Sequence, residues 1–226
     1  MIPLKLAPEP PEFDEGVRQR GLAAIDELVG RTPRRTRPGP RRKKVASTEA
    51  EIPSSEFPAF WRDVLPAMLN AYERRCAFLA LHIELATGGA TVDHMIPKSR
   101  EWKLVYEWHN YRLCCAHVNS LKSDSADLVD PFECEENWFA LEIVEFRVVP
   151  GDGFAQATNQ QYAAIRNTLE LLNSRDCCEA RRSYFDAYRE KHVSWQWVLR
   201  RAPFVAREML RQELVSPEDL AQGVNP

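Results

Sequence analysis

The sequence predicts an α+β protein, and three observations carry that prediction. Residues 76–83, 91–94 and 110–115 read as short strands, and 116–122 follows at once with the spacing of a short helix. Residues 138–149 alternate towards a hairpin before the turn residues Pro150-Gly151-Asp152-Gly153. From Gln160 to Leu214 the apolar positions recur at helical spacing.

Composition narrows the class further. The chain has 226 residues, 44% of them hydrophobic, with ten Phe, six Trp and six Tyr, which is a globular make-up and not a fibrous or low-complexity one. No stretch reaches the ~18 consecutive apolar residues that span a bilayer, and the start MIPLKLAPEPPEF has proline and acids where a signal peptide needs an apolar core. A soluble, cytoplasmic protein is expected. Six cysteines in such a chain are expected as free thiols. A net charge of −3 argues against coating nucleic acid by bulk charge. The charge is segregated, however: residues 31–44, RTPRRTRPGPRRKK, hold eight basic residues and no acid, whereas 123–146 hold eight acids and no Lys or Arg.

In chain order, residues 1–54 carry half of the sixteen prolines and read as a flexible Pro/Arg-rich arm. A short helix is expected inside it over 17–29, where Leu22, Ile25, Leu28 and Val29 share a face. Pro33, Pro38 and Pro40 predict that 31–44 is extended, either as a solvated linker or as a phosphate-binding arm. Residues 57–75 show helical spacing through Trp61, Val64, Met68 and Tyr72, with a bend expected at Pro66. The apolar run 76–83 predicts a strand, the turn Thr87-Gly88-Gly89 follows, and 91–94 opens the next strand. The C-terminal region, 158–226, is expected as helices over 162–172, 177–191 and 193–214, the last broken before Pro203.

The chemistry concentrates in TVDHMIPKSREWKLVYEWHNYRLCCAHVNSLKSD, residues 91–124. Asp93 and His94 are neighbours at the end of a predicted strand, Asn110 opens the next, and Asn119 and Lys122 lie three apart on one face of the short helix. A carboxylate and an amide oxygen are hard ligands for a cation of the Mg²⁺ kind. A neutral imidazole beside them can take a proton from water, and a lysine can hold a phosphate as a point charge. Trp102, Tyr106 and Trp108, between the two halves of the motif, are expected mainly as a small core under the loop.

Asp93-His94, Asn110, Asn119 nine residues later and Lys122, with Ile96-Pro97-Lys98-Ser99 after the histidine, together resemble the HNH (ββα-metal) endonuclease motif in its variant with a final Asn. The resemblance implies that Asp93 and Asn119 hold one divalent cation, Mg²⁺ or Mn²⁺, and that His94 is the general base. It implies further that Asn110 pins the loop that orients the histidine and that Lys98 and Lys122 contact phosphate. The implied module, with a preceding helix and a following hairpin, covers 55–157. Many such domains add a zinc ribbon with two C-x-x-C pairs. Here the matching stretches read Cys76-Ala77-Phe78-Leu79 and Cys115-Ala116-His117-Val118, and two thiolates do not fill four zinc positions, so no structural zinc is expected.

A narrower resemblance covers residues 75–146. RCAFLALHIELATGGATVDHMIPKS, YEWHNYRLCC, NSLKSD, DPFE and WFALEI are similar to the HNH subunits of prokaryotic Septu and retron antiphage systems, the PtuB family. That likeness implies an AAA/ABC-like ATPase partner of the PtuA kind and a nucleic-acid substrate, with no membrane. DNA is the favoured substrate. An RNA-cleaving effector and an inactive scaffold of the ATPase complex are the alternatives.

Overall fold

The structure, a computed structural model, describes residues 1–125 and 127–221. The fold is mixed α+β with two small two-stranded antiparallel sheets. No helix among the described residues is long and apolar enough to cross a membrane. The chain divides into two compact units, one holding the described residues of 6–74 and 90–126, the other those of 1–5, 75–89 and 127–226.

In the unit that carries the motif, one π-helical turn, Asp14–Arg18, buries Val17 and leads into α1, Gln19–Leu28, which buries Ala24, Ile25 and Leu28. The helix stops because Gly30 takes a φ of +82°, letting its N–H reach Glu27 O and that of Arg31 reach Asp26 O. Residues 31–44, expected to be an extended arm, lie back along this helix. Asp26 and Glu27 are both buried, and they draw in the guanidiniums of Arg31 and Arg34, and of Arg37 and Arg42, respectively.

The single helix expected over 57–75 is a 3₁₀ segment, Phe60–Val64, followed by α2, Leu65–Ala71. Pro66 sits in the first turn of α2 and does not bend a longer helix, because a first-turn N–H has no intrahelical partner to lose. Strand β1, Ala90–His94, pairs antiparallel with β2, Tyr111–Cys115, so that Val92 faces Leu113, Asp93 faces Arg112 and His94 faces Tyr111. Helix α3, Ala116–Lys122, leaves β2 without a connecting loop and packs on both strands through buried Val118. The order strand, loop, strand, helix agrees with the sequence reading. Beneath the 95–110 loop, Phe13 sets its ring edge-on to Trp108 and Tyr111, at 5.7 and 5.8 Å.

In the other unit, residues 76–83 are not a strand. Their buried apolar side chains surround a tight turn, with Ala80 at a φ of +52° and Cys76 N–H bonded to Leu81 O, so the apolar run marks burial on all sides. The predicted hairpin forms from β3, Phe139–Leu141, and β4, Val148–Pro150, turning at Phe146. The expected helices appear as α4, Asn159–Leu172, α5, Arg175–Arg189, α6, Trp195–Arg201, and α7, Pro203–Arg211, with a short α8, Pro217–Ala221, after them. Thr158, Ser174 and Ser194 cap the first three. Buried Arg181 ties the hairpin turn to the helices by donating Nε to Phe146 O and Nη2 to Leu172 O, at 2.9 and 2.7 Å.

Candidate active site

His94 ends β1 with 8% of its surface exposed. Its Nε2 lies 3.0 Å from the carbonyl oxygen of Val105, which also accepts the hydroxyl of Tyr111 at 2.8 Å. A carbonyl can only accept, so Nε2 carries the proton and Nδ1 keeps the lone pair. The rings of Trp61 and Tyr111 stand edge-on to the imidazole at 4.8 and 5.1 Å and fix its plane. Burial drives the imidazole pKa down to about 3, against the pull of the Val105 carbonyl and with the help of the Lys98 and Lys122 charges. The side chain is therefore a neutral proton acceptor throughout the neutral range.

The backbone just before this carbonyl is held by Asn110. Asn110 is buried; its Oδ1 accepts Ile96 N–H at 2.8 Å, while its Nδ2 donates to Ile96 O and Leu104 O at 3.0 and 3.1 Å. Its own carbonyl accepts Met95 N–H. One side chain thus clamps the start of the loop to the residue before Val105. Asn110 makes no bond to the imidazole; it acts by placing the backbone that holds the ring from its Nε2 side, opposite the reacting Nδ1.

Asp93 lies beside His94, 3% exposed, with Oδ1 3.2 Å from Nζ of Lys122. Lys122, expected to touch phosphate, has only 1% of its surface exposed and donates to the backbone oxygen of His94 at 2.8 Å. Its ammonium is an internal strut between α3 and the end of β1. Asn119 is half-buried one turn earlier on α3, and the i to i+3 spacing puts it on the face from which Lys122 reaches Asp93. Lys98 is the lysine that stays near solvent. Its Nζ sits 4.6 Å over the ring of Trp61, and its pKa is lowered chiefly by burial, with Asp124 opposing and Arg62 adding to the shift.

Asp93, His94 and Lys122 are therefore in direct contact, Lys98 joins them through Trp61, and Asn110 joins them through the loop. Of the three aromatics expected under the loop, Tyr106 and Trp108 are buried and Trp102 is partly exposed. Sequence reasoning missed Trp61, which the helical pattern marked only as core, and the Val105 carbonyl, for which a sequence carries no signal.

Among the described residues no group of three or more His, Cys, Asp and Glu side chains gathers to hold a metal. A cage made wholly of protein ligands is not what a Mg²⁺-like ion needs, since it keeps several waters and takes one or two protein oxygens together with substrate phosphate. Asp93 and Asn119 offer one carboxylate and one amide oxygen, the donor types such an ion takes. No protein-family model matches the chain, and no curated protein is significantly similar to it.

Proposed function

We propose that the unit formed by α1, α2, β1, β2 and α3 is an HNH (ββα-metal) endonuclease module that hydrolyses phosphodiester bonds in nucleic acid, with DNA as the favoured substrate. The observation that carries this reading is the bond between His94 Nε2 and Val105 O, which leaves a neutral imidazole with Nδ1 as proton acceptor at the end of β1, one residue after Asp93.

In this reading Asp93 and Asn119 hold one divalent cation, Mg²⁺ or Mn²⁺. When bound, that cation supplies positive charge to offset what develops on the leaving oxygen. His94 Nδ1 takes the proton of the attacking water. Asn110 keeps the 95–105 loop, and with it the ring, in place. Lys98 offers its ammonium to a non-bridging phosphate oxygen, and its seat on Trp61 restricts where that charge can go. Lys122 neutralises Asp93 from inside and keeps the β1 end attached to α3.

The likeness of 75–146 to PtuB-type sequences supports a role as effector of an antiphage system whose PtuA-like ATPase gates cleavage. The test is incubation of supercoiled plasmid and of total tRNA with the protein, with and without that ATPase, in Mg²⁺ or Mn²⁺. Cation-dependent nicking that vanishes in His94→Ala is the expected result. Equal cutting by His94→Ala, or no cutting of either substrate in any condition, overturns the proposal.

A further inference from the structure

Between α1 and the returning residues 35–42 lies a cleft of about 430 Å³, lined by Arg20, Arg35, Arg37, Arg42, Glu27 and Phe60. Its arginines have separate tasks. Arg37 is spent on shape: Nε goes to Glu27, Nη1 to Pro38 O and Nη2 to Pro40 O, which closes the turn at Gly39. Arg20, Arg35 and Arg42 bond their carboxylates, Asp63, Glu15 and Glu27, through Nη1, and a guanidinium has two more nitrogens with N–H groups to offer. Arg20 lies 4.1 Å over the ring of Phe60 and Arg42 lies 5.8 Å over it.

We propose that this cleft grips the sugar–phosphate backbone of the nucleic acid on one side of the bond to be cut, with Arg20, Arg35 and Arg42 as phosphate forks. For its substrate class this rests on the nuclease reading above. The position favours a continuous strand: Phe60 in the cleft is followed by Trp61, whose ring touches both His94 and Lys98, so cleft and candidate site share one short segment. The charge favours a backbone over a terminal phosphate. Each guanidinium is partly balanced by an acid, and Glu27 is buried in the cleft, which suits phosphodiesters of one charge each better than a multiply charged phosphomonoester. Planar forks held on an aromatic ring and on carboxylates also lose little freedom when they bind a phosphate.

The experiment uses the full chain carrying His94→Ala, so that binding is read without cleavage, and follows fluorescence anisotropy of a labelled DNA duplex over a salt series. Arg35→Gln, whose ion pair with Glu15 is exposed, and the double change Arg20→Gln/Arg42→Gln should each weaken binding several-fold, and each lost contact should lower the slope of log affinity against log salt by about 1. Arg166→Gln, which removes an exposed charge elsewhere, should leave both unchanged. Unchanged affinity and slope in the cleft variants, absence of duplex binding, or displacement of the duplex by deoxyadenosine monophosphate at similar concentrations overturns the cleft. If arginine-dependent binding is found in a protein that never cuts, the nuclease reading fails and the cleft stands. If the cleft variants bind like their His94→Ala parent and, in a chain that keeps His94, cut like the wild type, the cleft alone fails.

Discussion

Lys122 and Asp93 form an ion pair at 3.2 Å with 0% and 3% of their side chains exposed. Taking two charges out of water is costly, and the arrangement holds because the ammonium also has the carbonyl of His94 to donate to. Removing one partner leaves the other buried with its charge. Lys122→Met should therefore destabilise the fold by about 3–5 kcal/mol, and adding Asp93→Asn to it should recover much of that loss. Urea unfolding of the wild type, both single variants and the double variant supplies the cycle. Additive single effects would show that the pair is not coupled.

The burial of His94 makes stability depend on pH. Its folded pKa is driven down to about 3 from an ordinary 6.5, so below pH 6.5 the unfolded chain binds a proton that the folded chain does not. Stability from this group is fully present above pH 6.5 and falls by up to about 1.4 kcal/mol per pH unit on acidification towards 3. His94→Gln should flatten the stability curve over the first unit below 6.5, whatever its effect at neutral pH. Identical slopes in the two proteins would contradict the burial of the ring.

Asn110 offers a test of positioning. Its amide makes three bonds to the 95–105 loop, and two of them need the Nδ2 donor. Asn110→Asp keeps the size and one acceptor but turns a negative oxygen towards the carbonyls of Ile96 and Leu104. Loss of a hydrogen-bonded buried partner costs about 1–3 kcal/mol. A loop displaced by an ångström is enough to lower turnover by about 100-fold. The expected result in plasmid nicking is a large fall in kcat with the cation requirement unchanged, as for a residue that touches neither substrate nor cation. Full activity with intact stability would remove Asn110 from the positioning role.

The parts of this architecture legible in the sequence are those governed by local pattern. Strand β1, strand β2 and α3 fall within a residue of their expected bounds, because a strand that must bury both Val92 and His94 and a helix that starts directly after Cys115 leave little freedom. Residues 76–83 misled because periodicity cannot separate a strand buried on both faces from a turn buried on all sides. Residues 31–44 misled for an electrostatic reason: prolines and like charges predict extension, yet Asp26 and Glu27 on α1 supply the counter-charge. Lys122 misled because lysines are so rarely buried that only its contact with Asp93, from a distant part of the chain, could reveal its place.

The close approach of Gly21 to Tyr106 joins α1 to the candidate site. A methyl group on Gly21 would lie 2.2 Å from Cγ and Cδ2 of that ring. The ring cannot swing away, since Tyr106 is 2% exposed and its hydroxyl donates to Pro58 O at 2.9 Å. Gly21→Ala sets two effects against each other. Alanine favours a helix interior by about 1 kcal/mol over glycine, whereas overpacking costs about 1–3 kcal/mol. With the neighbour pinned, the second should win, and the thermal midpoint should fall. Tyr106 follows Val105, so the same push moves the carbonyl that sets the His94 tautomer, and nicking should fall along with stability. Pairing the change with Tyr106→Ala, which removes Cγ and every ring atom the methyl would meet, should make the double variant fall by less than the sum of the two single losses. A Gly21→Ala protein as stable as the wild type would mean that α1 and the loop do not meet at this distance.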